Sequence, residues 1–433
     1  MAMDGKELVE KLAKLSQVQS IKDIPQLTHA LFPGTHCPLM GAAMAVGGIK
    51  DSLIVVVGTD ECTYYTKSMT IHSEKFGGID GRCVSVVLDD HDVTFGSAEK
   101  VQGAFKEIIE EYRPQCVFLV TTCVIEIIGD DFDAISEGLS ELYGIPVLPV
   151  HTEHFKCEDH LPGLERTITV CAEMMKSCDC DNSVNLLGQR MGDFATTELY
   201  AMLQKAGVKI GLQLPCGCSV DDIKNAAAAK VNIVVNDIAL PLAQKMQEKF
   251  GIPYVYFNKF VIPEKIYEAY KNLFVYLDLE LPGELEGLYQ NAREKIEKNK
   301  GELEGITYIY GNTPYAVFEM NCFLSSLGMV PQVIQTNRYT EADEPYAKEI
   351  LQYTDPYVCK AANIAPLQYV YDVLSPYLYL GHEFGNRLRQ KGIAIVHSDR
   401  ASGMLGFEVT GYLLQQLVKS VREAKEYRKE LGL

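Results

Sequence analysis

The chain has 433 residues, a net charge of −18 and 47% hydrophobic residues, which describes a globular protein too long for a single core. The acidic charge makes nucleic acid a poor partner, because phosphate binding needs a basic surface. No apolar run reaches the roughly 18–20 residues of a membrane helix, and the N-terminus lacks a signal-peptide core. We therefore expect a cytoplasmic protein with no membrane partner.

The first part of the chain alternates strands with helices. A helix is predicted over residues 5–15, followed by an irregular approach to Cys37. Further along, the predicted strands are 53–57, 83–88, 117–120 and 146–150, with the helices 98–112 and 132–142 between them. This alternation predicts a parallel, doubly wound sheet.

The same alternation returns twice after a polar linker at residues 174–183. Strands are predicted in a second series at 184–187, 208–212, 231–235 and 253–257, and in a third at 307–310, 333–335, 357–359, 378–380 and 393–396. A helix over 407–430 ends the chain. The fold class is therefore α/β, with three tandem Rossmann-like units, which we place at residues 1–180, 181–300 and 301–433.

Thirteen cysteines in a long chain of cytosolic character favour metal ligation or catalysis over a disulfide framework. Cys37, Cys62 and Cys123 stand out, because each lies in a predicted loop of small and polar residues beside a strand or helix end. Parallel sheets bind ligands at their carboxyl edges, and thiolates are the ligands of iron–sulfur clusters. From the spacing alone, a shared cluster site and three independent thiols both stay open.

The remaining cysteines have weaker signals. Two C-x-C pairs, Cys178 with Cys180 and Cys216 with Cys218, cannot complete a tetrahedral site without further ligands. Five others lie on apolar segments and are predicted to be buried small hydrophobic residues: Cys83, Cys116, Cys171, Cys322 and Cys359. No phosphate loop of the GxxxxGK[ST] type occurs, and GQRMG at residues 188–192 is too loose for a dinucleotide fingerprint, so the chain is not expected to bind ATP or NAD itself.

Local sequences around the three selected cysteines resemble nitrogenase component 1, a superfamily that also includes a cofactor-assembly scaffold and nitrogenase-like reductases. Cys37, Cys62 and Cys123 each lie within one of the matching stretches. The motifs that carry the resemblance are CPLMGA at residues 37–42, GTDECTYY at 58–65, VTFGS at 93–97, TTCVIEIIGDD at 121–131 and HTEHF at 151–155. The first, fourth and fifth look most like the β-type subunit, and the resemblance runs nearly end to end.

The resemblance implies three Rossmann-like domains around a central cleft. It implies that Cys37, Cys62 and Cys123 supply half the ligands of an iron–sulfur cluster, of the 4Fe–4S or 8Fe–7S type, at an interface with a second component 1-type subunit, identical or homologous. It further implies an ATP-dependent iron-protein reductase as electron donor and a substrate or second metallocofactor in the cleft.

Two departures from the catalytic nitrogenase subunit bear on the cleft. The second-unit segment 231–237 has no cysteine where that subunit holds its cofactor. His397 falls roughly where the cofactor's histidine ligand is expected, which makes it a candidate metal ligand beside the alternative of a hydrogen-bonded structural residue.

Three hypotheses of function follow. The first is an oxidoreductase subunit, which passes low-potential electrons from the iron protein to the occupant of the cleft. The second is a scaffold on which a complex iron–sulfur metallocofactor matures. The third is a cluster-free α/β binding protein with buried thiols.

Overall fold

The computed structural model describes residues 4–27, 36–71, 81–157, 159–190, 192–311, 313, 315–360 and 364–433. Within these residues the strands, in chain order, are β1 Ala13–Lys14, β2 Ile49–Lys50, β3 Ser52–Gly58, β4 Cys83–Val87, β5 Cys116–Thr121, β6 Val147–Val150, β7 Val184–Gln189, β8 Ile210–Pro215, β9 Cys218–Ser219, β10 Val231–Val234, β11 Tyr254–Tyr256, β12 Thr307–Tyr310, β13 Val330–Gln335, β14 Tyr357–Cys359, β15 Leu378–Leu380 and β16 Ala394–Val396.

Helices connect most of these strands. In chain order they are α1 Gly5–Glu10, α2 Pro38–Gly47, α3 Asp60–Ile71, α4 Asp90–Phe95, α5 Ala98–Tyr112, α6 Cys123–Ile128, α7 Phe132–Tyr143, α8 Leu161–Val170, α9 Glu198–Lys205, α10 Val220–Lys224, α11 Leu240–Phe250, α12 Pro263–Leu277, α13 Leu285–Leu303, α14 Val317–Ser326, α15 Glu344–Ile350, α16 Ile364–Leu374, α17 Gly385–Arg389 and α18 Glu408–Leu431. None of the helices in the described ranges combines the length and the apolar character needed to cross a bilayer.

The first sheet has the strand order β4-β3-β5-β6, with every pair parallel. Its two central strands, β3 and β5, are buried along their whole length. Burial on both faces explains their nearly continuous apolar sequences, since each fully buried Val, Leu or Ile side chain contributes roughly 1.5–3 kcal/mol. The chain moves from β3 to one neighbour and then to the other, so the gap between β3 and β5 is a topological switch point.

The second sheet repeats this winding in the order β11-β10-β7-β8, again with parallel neighbours. Its switch point lies between β7 and β10. The first and second units are joined by the short parallel pair of β2 and β9, in which Ile49 lies opposite Cys218. One apolar cluster runs from the first sheet into the second through this region, which includes Val56, Leu187 and Val234.

The third sheet has the order β1-β14-β13-β12-β15-β16, which places its switch point between β12 and β15. Its strands are parallel except for β1, which pairs antiparallel with β14. The helix predicted over residues 5–15 is therefore too long: it ends at Glu10, and Ala13 pairs with Val358 instead of continuing the helix.

The α/β class and the parallel sheets predicted from the sequence are confirmed. Residues 175–181 form no regular element, in agreement with the predicted linker, and Cys178 and Cys180 there are exposed. The unit boundaries at residues 180 and 300 stay predictions. The N-terminal strand, assigned to the first unit, pairs with the third sheet.

Candidate metal centre and cleft

Two of the three selected thiols flank the switch point of the first sheet. Cys62 lies in the first turn of α3, after β3, and Cys123 is the first residue of α6, after β5. The two connections touch, because a Cβ atom built on Gly58 would collide with the Thr122 hydroxyl. The expectation of three loop thiols is thus corrected for Cys62 and Cys123, which begin helices because each helix starts within two residues of its strand.

Cys37 is held against this edge by helix packing. It precedes α2, which contacts α3, β3 and β5. Helix α2 also lies in backbone contact with α8: a Cβ atom on Gly41 would collide with the His160 carbonyl oxygen, and one on Gly163 with the Pro38 carbonyl oxygen. The small residues of the CPLMGA stretch therefore let α2 approach closely enough to fix the position of Cys37.

The three thiols are close enough to influence one another. Burial is the largest effect on Cys37 and raises the pKa of its thiol; the backbone amides of Met40 and Leu39 lower it, and the Cys62 and Cys123 thiols raise it further. Burial and the neighbouring thiols both disfavour the Cys37 thiolate, and a bound cationic centre would favour it.

The three thiols do not have the compact arrangement of a site for one tetrahedral ion. A single tetrahedral ion with metal–sulfur bonds of about 2.3 Å places its sulfur ligands roughly 4 Å apart. In the described ranges of the chain, only Asp89, His91 and Asp92 bring three donor atoms within 4.8 Å of one another. There Lys100 already pairs with Asp92 at 2.6 Å and with Asp89 at 2.9 Å, which explains that group without a metal.

An unsatisfied hydroxyl accompanies the thiols. The Thr122 Oγ1 atom is buried and has no hydrogen-bond partner within the described structure. A buried donor of this kind costs about 1–3 kcal/mol unless it meets an acceptor. Half-buried thiols with an orphaned donor beside them fit a sulfide-containing cluster, because cluster sulfides accept hydrogen bonds.

The five cysteines predicted to be buried are buried. Burial raises the pKa of Cys116 to about 12, and likewise that of Cys322 and that of Cys359 to about 12, which leaves these thiols protonated and inert. In the C-x-C pair of the second unit, Cys218 is buried, while Cys216 is half-buried and its Sγ atom donates to the Arg190 carbonyl oxygen at 3.4 Å.

The carboxyl edge of the second sheet carries charged groups that the sequence analysis missed. Arg190 follows β7, and Lys259 lies three residues after β11. Lys259 is 5% exposed, and the Arg190 Nε atom is buried without a partner. The sequence signal for Arg190 is a cationic residue directly after a buried strand. It lies in GQRMG at residues 188–192, which resembles a dinucleotide motif only loosely.

Acidic groups are also present, one in the third unit and one at the carboxyl edge of the second sheet. Glu319 on α14 is buried with an unpartnered Oε1 atom, and burial, the largest effect, raises its pKa to about 7. Asp237, after β10, accepts hydrogen bonds from the Tyr256 hydroxyl and, at 3.1 Å, from the Asn258 amide. No cysteine follows β10, and His397 is exposed after β16; the ligand role of His397 stays a prediction.

The fold and this site together define a class of protein: doubly wound α/β units with a candidate thiolate metal centre at the first switch point and charged groups at the carboxyl edge of the second sheet. The chain belongs to the nitrogenase component 1 type oxidoreductase family, whose model matches residues 37–422.

Several relatives illustrate this membership. The nitrogenase iron-molybdenum cofactor biosynthesis protein NifE of Clostridium pasteurianum is 31% identical over 224 residues, which are 51% of this chain and 49% of that protein. NifE of Rippkaea orientalis is 25% identical over 331 residues, 73% of this chain and 69% of that protein. The nitrogenase molybdenum-iron protein alpha chain of Methanosarcina barkeri is 24% identical over 332 residues, 72% of this chain and 62% of that protein.

The alignment thus spans about half the length of the Clostridium pasteurianum relative. Among solved structures, nitrogenase Cp1 at pH 6.5 superposes with a TM-score of 0.75 over 92% of this chain and 94% of that chain, at 15% identity. This likeness shows the fold.

Proposed function

We propose that this chain is a cytoplasmic subunit of a nitrogenase-like, ATP-dependent reductase complex, in which Cys37, Cys62 and Cys123 hold an iron–sulfur cluster shared with a second component 1-type subunit. When bound, the cluster supplies low-potential electron transfer between an iron-protein partner and a substrate or metallocofactor in the cleft. The observation that carries the proposal is the convergence of three half-buried thiols on the switch point of the first sheet.

Three thiolates do not complete the ligand set of a cluster with four or more irons. The missing ligands must come from outside this set, and the surface around the thiols is suited to a protein partner. Tyr64, Phe95 and Ile127 lie near Cys62 and Cys123 and are 73%, 77% and 74% exposed. Helices α4 and α6 contact each other, which places Phe95 beside the Cys123 helix. Exposed large apolar residues rimming a metal site favour an interface.

The chain's own residues tune this site in three ways. The amides at the start of α2 favour the Cys37 thiolate. The orphaned Thr122 hydroxyl supplies a donor. Next to it, Glu126 accepts hydrogen bonds from Thr121 and pairs with His151 at 2.9 Å, which fixes the carboxyl side of α6. Such surrounding hydrogen bonds set the potential of a buried cluster.

A second candidate function is a scaffold for maturation of an iron–sulfur metallocofactor. The relatives named NifE favour it, as does the absence of a cysteine after β10 that would retain a cofactor permanently. Both candidates share the cluster site; turnover with a reducing partner separates them.

The test is replacement of Cys123 by Ala, with Cys322→Ala as the matched control. The wild type purified without oxygen should contain iron and acid-labile sulfide in comparable amounts and be a dimer or larger. Cys123→Ala should lose the iron and weaken subunit association, because a bridging cluster stabilises the assembly that binds it. Cys322, buried at 1% exposure, should be replaceable without loss of iron. Equal iron loss in the two variants would contradict the assignment.

A further inference from the structure

Two cationic side chains lie at the carboxyl edge of the second sheet, one buried (Lys259) and one half-buried (Arg190), and the described residues offer no anionic partner that neutralises both. Lys259 is 5% exposed, and its ammonium has no hydrogen bond or ion pair within the described structure. The Arg190 Nε atom is likewise buried and unpartnered. Burying a charge is unfavourable unless it is paired, so a buried Lys259 ammonium and a buried Arg190 Nε atom both favour an added anion.

The two cations act on each other. Burial is the main reason why the pKa of Lys259 falls to about 7, and the Arg190 charge lowers it further. Burial also lowers the pKa of Arg190, while Cys216 and Asp159 act to raise it. Asp159 is the one described carboxylate that acts on Arg190, and none acts on Lys259. Among the described residues, one negative charge thus faces two positive ones.

Their position favours a ligand over a structural role. Arg190 follows β7, which borders the switch point between β7 and β10, and Lys259 follows β11, on the far side of β10. In doubly wound sheets this edge is where ligands bind. His160, whose imidazole has its pKa lowered to about 4 by burial and by Arg190, adds a neutral hydrogen-bonding group nearby.

We propose that Arg190 and Lys259 form a binding site for an oxyanion, a carboxylate or phosphate group carried by the molecule that enters the cleft. A guanidinium group pairs with two oxygens of a planar carboxylate or of a phosphate, and an ammonium adds a point charge. This proposal extends the proposed function. It depends on that function at one point only, which is that the substrate or cargo binds in the cleft.

The test measures thermal unfolding of the anaerobically purified protein at constant ionic strength in chloride, citrate or inorganic phosphate. For the wild type we expect a saturable rise of the unfolding midpoint with citrate or phosphate, because a ligand that binds only the folded state stabilises it. A response to citrate alone assigns a carboxylate, and a response to phosphate alone assigns a phosphate. Equal midpoints in all three anions would overturn the inference.

The matched variants are Lys259→Met and Lys209→Met. Lys209 immediately precedes β8 at the opposite edge of the same sheet, and its exposed side chain pairs with Asp181 at 3.2 Å. Lys259→Met should weaken anion binding at least about tenfold, and Lys259→Arg should retain part of it, whereas Lys209→Met should bind like the wild type. Identical anion responses in Lys259→Met and Lys209→Met would refute the site.

Iron content, measured on the same samples, keeps the two proposals separate. Cys123→Ala should lose iron and keep the anion response, because Cys123 lies at the first sheet and Lys259 follows the second. A wild-type protein that has its full iron content but does not respond to citrate or phosphate would refute the anion site alone. A wild-type protein that contains no iron but still binds citrate or phosphate would refute the cluster proposal alone.

Discussion

Replacement of Lys259 by Met should make the ligand-free protein more stable, and the gain should depend on pH. Burial lowers the pKa of Lys259 from 10.5 to about 7. Each pKa unit corresponds to about 1.36 kcal/mol, so the charged side chain costs the folded state roughly 5 kcal/mol below pH 7. Arg190 is the described charged group that acts on it.

The sign follows from proton binding. Between about pH 7 and pH 10.5 the unfolded chain keeps the Lys259 proton and the folded protein does not, so the stability of the wild type rises with pH in that window. Lys259→Met lacks this dependence. The stability advantage of the variant should therefore shrink by about 3 kcal/mol between about pH 6.5 and about pH 9.5.

The assay is thermal unfolding of both proteins in chloride buffers that contain no other anion. An unfolding entropy of about 2.1 cal/mol/K per residue gives about 0.9 kcal/mol/K for 433 residues. The difference between the two midpoints should then narrow by about 3 °C across the pH range, and by more if the second unit melts alone. Midpoints that move in parallel across the range would show that Lys259 is not a buried, unpaired cation.

The other predictions concern the first unit and its partners. Gly163→Ala should lower the stability of the fold by about 1–3 kcal/mol, because the added Cβ atom collides with the Pro38 carbonyl oxygen. Gly138→Ala, which has open space around it, should raise helix stability by up to about 1 kcal/mol, and thermal unfolding compares the two variants. Phe95→Asp should weaken subunit association in sedimentation experiments, and Tyr353→Asp, at an exposed aromatic residue of the third unit, should not. The chain alone should hydrolyse no ATP, yet reduction with its iron-protein partner should require ATP and slow at high salt, where the Debye length shrinks to about 3 Å; full turnover with a simple ferredoxin and no nucleotide would contradict the proposed mechanism.

The strands were predictable because their apolar runs report burial directly. Val117 to Val120 lie within β5, and the predicted third-unit strands 307–310, 357–359 and 378–380 match β12, β14 and β15. The N-terminal helix was predicted too long because its end is decided by a contact more than three hundred residues away, where Lys14 lies opposite Tyr357. Local sequence carries no signal for such a pairing.

The three candidate ligand cysteines could be selected from the sequence because they lie in specific motifs. That Cys62 and Cys123 lie at the starts of helices could not be predicted from it. The charged edge of the second sheet was missed for a different reason. Lys259, within the sequence Phe257-Asn258-Lys259-Phe260, has the pattern of an ordinary polar loop, and its burial at 5% exposure arises only from tertiary packing. Long-range packing determines which lysine is desolvated, and no periodicity along the chain encodes that.

The charges of the cleft favour an occupant that leaves over one that is permanently ligated. Cys216 directly follows β8 at this edge, and burial raises the pKa of its thiol, so it is a poor thiolate ligand at neutral pH. Arg190 and Lys259 attract an anion by charge, without a coordinate bond that would hold it permanently. A substrate and a maturing cofactor both have to leave after they bind. We therefore expect the second unit to hold a transient anionic guest and no resident cofactor, whether the protein is a reductase subunit or a scaffold.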